Sequence, residues 1–434
     1  MNQRTSRRAL RVVGSAMAVS FAVALASCSG GSGGSGDDGG DIELTFQWWG
    51  NDERAALTEE AIDLFEKNNP GITVSGSFST IDSYIPKLAT QIASNSAPDL
   101  FLIPMESVKE YSEKGATLDL TDYIGDQISV DEISEASQKI GVVGGTTYGF
   151  TLGTATSAWI YNPSVWEEAG AEVPAGDFAW EELLDAGEKI RASTGGDVAA
   201  ISDPGGYIAW FATWLNQQGK IGWTEDGQLG FEASDLEAWF ELMEKLRESG
   251  ATTDAETTTT IDQSMQNSGL ARGESAGEFA AASLTGAYAD TIGAENVALA
   301  PLPSDTDVLA ISMAGTNVAA IAANSEHPEE TAQFLDFLIN DPGAAEILKL
   351  TRGIPINQAN YEALMPDLEG ADKAIGDFVT TYQDRFSEPD PLAPPGATTI
   401  PADFTLAYES IIFEQSSIED AAASLFEKFE ATVQ

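Results

Sequence analysis

A single histidine and a single cysteine limit the chemistry open to this chain of 434 residues. A zinc site of the HExxH or Cys/His type needs several such ligands and cannot be assembled. A Ser-His-Asp triad would have to use His327, which lies in Ser325-Glu326-His327-Pro328-Glu329-Glu330. That stretch has the makings of a helix start, with a capping hydroxyl, an early proline and acids in the first turn. His327 is therefore read as a solvated residue at the head of a helix. The sequence contains no GxxxxGK[ST] phosphate loop and no GxGxxG after a strand. Carboxylates are abundant, 69 Asp and Glu against 21 Lys and Arg, and they leave a glycosidase-type acid pair open. The net charge of −48 argues against nucleic acid and against a basic face for anionic lipid.

Cys28 carries a second kind of chemistry. The head of the chain is basic, with Arg4, Arg7, Arg8 and Arg11, and Val12 to Ala26 is almost wholly apolar or small. This is the pattern of a secretory signal. The run is shorter than the roughly 20 apolar residues that span a bilayer. Its end, Leu25-Ala26-Ser27-Cys28, resembles a bacterial lipobox, in which the thiol takes a lipid and the cysteine becomes the first mature residue. Residues 1–27 are thus expected to be a signal peptide. Residues 28–41 are expected to be a lipidated cysteine and a flexible tether, since Ser29 to Asp41 is Gly, Ser and Asp only. A plain cleaved signal with an incidental cysteine is the alternative. Once Cys28 is acylated no thiol remains, and the fold rests on packing without disulfides. A hydrophobic content of 43% and an aromatic content of 9% supply that packing.

The elements that position any site follow from periodicity. Ile42-Glu43-Leu44-Thr45-Phe46-Gln47-Trp48 is apolar at every second position and predicts a strand. Trp48 falls on its buried face and Trp49 on the opposite face, at the carboxyl end. Asn51 or Asp52 caps a helix with Leu57, Ala61, Leu64 and Phe65 inward, stopped by Asn69-Pro70-Gly71. A strand at Ile72–Val74, a helix near Ser83–Ser94 and a strand at Leu100–Ile103 follow. Strand and helix in alternation predict an α/β sheet. Further on, Ser157–Tyr161 reads as a strand, Asn162-Pro163 and Phe178–Ala192 as helices, Pro204–Trp223 as an aromatic-rich stretch, and Ile418–Phe429 as a closing helix. Trp166, Trp180 and Trp239 have helical spacing and are assigned to packing. Asp99 is expected to fix the turn at Pro98.

Several stretches together resemble an extracellular solute-binding protein of the carbohydrate-binding, maltose-binding-protein-like type, the lipoprotein component of an ABC sugar importer. They include Trp48-Trp49-Gly50-Asn51-Asp52-Glu53-Arg54, Phe65–Val74, Leu88–Ser94 with Ala97-Pro98-Asp99-Leu100, and Tyr148-Gly149-Phe150 with Ile160-Tyr161-Asn162. Gly273-Glu274-Ser275-Ala276 resembles a helix start of that family. Ala314-Gly315 with Ile321 resembles its return strand, and Arg352-Gly353-Ile354-Pro355 its Gly-x-Pro turn. Gly277 stands where the family usually has Met. The resemblance implies two α/β lobes joined by a multi-segment hinge, with a ligand cleft between. The lobes would be 42–153 plus 313–365, and 154–312 plus 366–434, with crossings near Gly153, Met313 and Met365.

A sugar presents an apolar C–H face that stacks on aromatic rings and a rim of hydroxyls read by fixed polar groups. On that logic Trp49, Trp159, Trp210 and Trp214 are stacking candidates. Asn51, Arg54, Asp82, Glu106 and Asp203 are hydroxyl-reading candidates, and Tyr288 and Met313 to Gly315 take lobe-facing positions by the resemblance. Either Trp210 or Trp214, four residues apart, can face the core while the other is exposed. The implied protein is a monomer without cofactor or catalysis. It is held by Cys28 on the outer face of the membrane, in a Gram-positive cell, and passes its carbohydrate to a permease. An extracellular glycoside hydrolase, or the same binding fold with a non-sugar ligand, are the alternatives.

Overall fold

The computed structural model describes residues 42–433 apart from 175, 225, 263, 389, 392, 393, 395 and 396, and the side chains of Glu53, Asp82, Glu106 and Thr398 are not described. The signal, Cys28 and the tether expected over residues 1–41 lie outside the described residues. Strands follow in chain order as β1 (Ile42–Trp49), β2 (Ile72–Ser79), β3 (Leu100–Ile103), β4 (Val142–Val143), β5 (Thr146–Thr147), β6 (Thr154–Ala155), β7 (Ser157–Tyr161), β8 (Gly277–Ala281), β9 (Ala298–Ala300), β10 (Ala314–Gly315) and β11 (Val318–Ile321). They build a mixed α/β fold of two lobes, each with its own sheet and core.

The first sheet has the order β11-β3-β1-β2, with β1, β2 and β3 parallel and β11 antiparallel to β3. Alternation along β1 buries Leu44, Phe46 and Trp48. That face meets α1 (Asp52–Asn68) and the helix Pro328–Asn340, where Phe334 packs on Phe46 and Phe65 with ring centroids 5.6 and 4.8 Å apart. The opposite face is covered by α2 (Ile81–Ala93) through Tyr84 and Leu88. β3 lies inside the sheet and buries all four residues, as a strand covered on both faces does. Asp99 clasps its start: one carboxylate oxygen accepts from Thr45 N and Oγ1 at 2.9 and 2.7 Å, the other from Ser325 Oγ at 2.6 Å. Asp99 therefore fixes the turn, as expected. His327 precedes the helix Pro328–Asn340, also as expected.

The second sheet, β8-β7-β9, is antiparallel throughout and packs under the helices Glu182–Thr194, Ile208–Gln217, Ala233–Ser249, Ile400–Ile412 and Ile418–Thr432. The helix expected from Phe178 begins only at Glu182. Trp180 precedes it, buried, with its indole N–H donating to Gln217 Oε1 at 3.2 Å. Gly273–Ala276 is not a helix start. It ends the short helix Gly269–Arg272, Gly273 taking the left-handed cap conformation, and leads into β8. Gly277 has a packing reason, since a Cβ there would lie 2.3 Å from Trp159 Nε1.

The chain passes from the first sheet to the second through β6 and returns through β10, and these two crossing segments pair antiparallel, Ala314 with Ala155 and Gly315 with Thr154. The segment around Arg352-Gly353-Ile354 joins them. Thr154 N donates to Ile354 O at 2.8 Å and Ile354 N to Thr154 O at 2.7 Å. Thr316 Oγ1 lies 3.1 Å from Gly153 O and 2.9 Å from Arg352 O. A third core, with Ala158, Leu309, Ile311, Ile354 and Phe378, fills the space beside this junction. Near Met365 a short turn, Met365–Asp367, separates the helices Gln358–Leu364 and Gly370–Tyr382. Among the described residues no helix is long and apolar enough to cross a membrane.

Candidate functional site

Of the residues nominated from the sequence, Trp49, Asn51 and Arg54 lie together at the carboxyl end of β1 and the start of α1. Trp49 is the last residue of that strand, half-buried on the face opposite Trp48. Its ring leans on Tyr84 of α2, with centroids 5.3 Å apart and planes at 58°. Tyr84 is held hard in place. β1 and β3 pair over only two residues, Phe46 with Leu100 and Gln47 with Phe101, and beyond them the Tyr84 hydroxyl fills the gap. It lies 2.9 Å from Leu102 O and 3.1 Å from Gln47 O, and accepts from Leu102 N at 3.0 Å. Burial pushes its hydroxyl pKa well above the usual tyrosine value, so it stays neutral.

Asn51 caps α1, its side chain accepting from Arg54 N at 2.9 Å. Such a cap satisfies one of the free N–H groups at a helix start. Arg54 folds back over Gly50, where a Cβ would meet Arg54 Cδ at 2.8 Å, and its Nη1 lies 3.5 Å from Trp49 O. Four residues on, Thr58 Oγ1 donates to Arg54 O at 2.7 Å and accepts from Arg352 Nη2 at 2.7 Å. The Arg352 guanidinium carbon sits 5.9 Å from the Trp48 ring centroid, within cation–π range. Arg352 is 4% exposed. Burial, and then repulsion from Arg54, pull its pKa down to about 9. Burial also lowers that of Arg54. The end of β3 joins the same edge, because Gly315 of β10 packs so closely on Met105 that a Cβ would lie 2.6 Å from its sulfur.

The other expected residues lie elsewhere. Trp159 is fully buried among Tyr161, Trp166, Phe178 and Phe279 and has no face free for a ligand. Trp210 and Trp214 are both core residues of the same lobe, because Ile208–Gln217 is buried on more than one side. Neither is the exposed member of a pair. Asp203 is buried and spends its carboxylate on the Tyr408 hydroxyl and Gly205 N. Tyr288 is buried beside Ile160, Leu270 and Ala280. Met313 packs, half-buried, against the third core. The side chains of Asp82 and Glu106 lie outside the described residues. Trp166, Trp180 and Trp239 are core residues, as expected.

The sequence reading misses Arg352 and Tyr84. Arg352 has one local signal, a cation beside glycine in a chain with only 21 basic residues. Nothing local places it against Thr58. A separate cavity of about 500 Å³ lies beside Phe178, Ser304 and Leu309. Its arginine, Arg385, is paired with Asp177 at 2.9 Å. Among the described residues no cluster of His, Cys, Asp or Glu could hold a metal ion.

The sequence pattern of the bacterial extracellular solute-binding proteins matches residues 49–345, more than half of the chain, and the chain belongs to that family. A protein of Brucella abortus (strain 2308), named as a binding protein, is 24% identical over 355 residues, covering 76% of this chain and 83% of its own. The fold is similar to that of a periplasmic oligogalacturonide-binding protein of Yersinia enterocolitica (TM-score 0.74, 20% identity, 91% of this chain and 100% of that one). It is also similar to the GacH receptor of Streptomyces glaucescens, solved unliganded and with acarbose (TM-score 0.71, 19% identity, 90% of this chain and 98% of that one).

Proposed function

We propose that this solute-binding protein is a lipid-anchored extracellular receptor that captures a carbohydrate between its lobes and hands it to an ABC permease on closing. The observation that carries this reading is Trp49, a half-buried indole at the carboxyl end of β1. Ligands in α/β sheets sit at strand carboxyl ends, and an indole held by Tyr84 is a rigid platform for the apolar face of a sugar. The digalacturonic acid and acarbose complexes of its structural neighbours support the ligand class. The lobes are taken as 42–153 plus 313–365, and 154–312 plus 366–434. The lipobox at Cys28 supplies the anchor, on the outer face of a Gram-positive membrane, and more than one acyl chain makes it stable. The receptor acts as a monomer. No bond is made or broken: contacts on both lobes favour the closed state, and the permease reads that shape.

Calorimetric titration with a panel of oligosaccharides, paired with small-angle scattering, tests the reading. A bound sugar recovered unchanged, with a smaller radius of gyration, is the expected result. Hydrolysed sugar points instead to a glycoside hydrolase. Binding without contraction removes the hinge step.

A further inference from the structure

Among the described residues, two cations at the site have no carboxylate partner. Arg352 is almost completely buried, gives Nη2 to the neutral Thr58 hydroxyl, and leaves Nη1 shut away from solvent without a hydrogen-bond partner. Arg54 Nε is likewise buried without a partner, and among the described residues its guanidinium makes one hydrogen bond, the 3.5 Å contact with Trp49 O, at the outer limit of such a bond. Among the described residues neither guanidinium has a carboxylate partner. The two repel each other. Arg54 lies in the first turn of α1, a helix of 17 residues whose N-terminus adds positive potential of its own, and Arg352 meets Thr58 one turn further on. Burying an ion without a counter-ion is strongly unfavourable. In a chain of net charge −48, with 69 carboxylates to draw on, this edge of the sheet keeps three sources of positive potential together.

We infer that the sugar carries an oxyanion, a uronate carboxylate or a phosphate ester, which seats between Arg54 and Arg352 at the head of α1 while its ring lies on Trp49. Arg54 is the mobile jaw. It leaves the Trp49 carbonyl and closes on the anion from the outer side. Guanidinium forks suit both oxyanions, since each can take two parallel N–H bonds. The inference rests on the carbohydrate reading above and narrows it to acidic sugars.

The test uses the mature protein and matched pairs of ligands in calorimetric titration: galacturonide and glucuronide oligomers against their methyl esters, and sugar phosphates against the free sugars. The acidic member of at least one pair is expected to bind about 100-fold more tightly than its neutral twin, the scale of charge-assisted hydrogen bonds. Which pair responds distinguishes carboxylate from phosphate. Arg54→Gln, at a half-buried position, and Arg352→Met are each expected to erase that preference. Thermal unfolding without ligand adds a second reading, because Arg352→Met removes an uncompensated charge and should not lower the Tm. A Tm lower by several degrees would show a cation already neutralised in the free protein and would overturn the inference. Neutral sugars bound as tightly as acidic ones would overturn it and leave the carbohydrate reading standing. Binding of no sugar of either kind would overturn both.

Discussion

The Tyr408 hydroxyl lies 2.8 and 2.7 Å from the two oxygens of the buried Asp203 carboxylate, tying the helix Ile400–Ile412 to the segment that follows Ile201. Arg247 Nη1 donates to the same hydroxyl at 3.2 Å, and Gly205 N to Asp203 Oδ1 at 2.8 Å. Burial outweighs these bonds and pushes the Asp203 pKa up to about 6. A carboxyl raised above its unfolded value of about 3.9 holds its proton better in the folded state. Its contribution is therefore fully present below pH 4 and is lost as pH rises through 6. Asp203→Asn should gain stability relative to the parent over that window, by about 3 kcal/mol at most. Denaturant unfolding at pH 4 and pH 7 measures it. A difference that does not change with pH would mean the carboxylate ionises freely in place.

Trp49→Ala separates binding from folding. Loss of an aromatic anchor in a pocket costs binding about 2–4 kcal/mol. A core tryptophan truncated to alanine costs about 3–5 kcal/mol of stability, and half-buried Trp49 should cost clearly less. Normal affinity with a large loss of stability would make Trp49 a packing residue.

Gly50→Ala probes Arg54 without touching it. The new methyl would meet Arg54 Cδ at 2.8 Å and Cβ at 3.3 Å, so the Arg54 side chain must swing away from its resting place. The unliganded protein should keep its stability within about 1 kcal/mol, while ligand affinity changes. An unaltered affinity would show that the resting place of Arg54 does not matter to the site.

Gly353→Ala strikes the junction. Gly353 has φ +100, and a Cβ would lie 2.5 Å from Thr154 O, so strain and collision fall on backbone. A loss of at least about 2 kcal/mol is expected in chemical denaturation. A neutral result would show that the crossing segments yield easily.

Cys28→Ser removes the acyl acceptor. Folding should be unchanged, since Cys28 is the one cysteine and no disulfide can be lost. Fractionation should find the variant in the medium or stalled as precursor. Detergent-extractable membrane association equal to the parent's would refute the lipobox.

Alternation made β1 legible, and with it the opposite facing of Trp48 and Trp49, because a strand's side chains obey a strict period of two. Asp99 was legible from its place beside Pro98. The helical tryptophans were harder. Trp210 and Trp214 sit in a helix, but Trp210 meets Phe279 of β8 and Trp214 meets Trp239, partners set farther along the chain. Trp159 could not be told from a cleft residue, because nothing in Ser157–Tyr161 says which neighbours cover it. Arg352 meets Thr58 across 294 residues of sequence. A partnership of that range has no local periodicity to announce it.

On the hinge-closure proposal, Thr316 constrains how the halves would move. Its backbone N–H donates to Gly153 O at 3.1 Å and its hydroxyl to Arg352 O at 2.9 Å, carbonyls that belong to different passes of the chain. The passes are thereby lashed into one axle and not strung as independent threads. Sliding or spreading would tear those bonds, whereas turning about the axle leaves them whole. Closure of the proposed kind would then have a single mechanical coordinate, and reporters placed anywhere on the two halves should return the same relaxation rate.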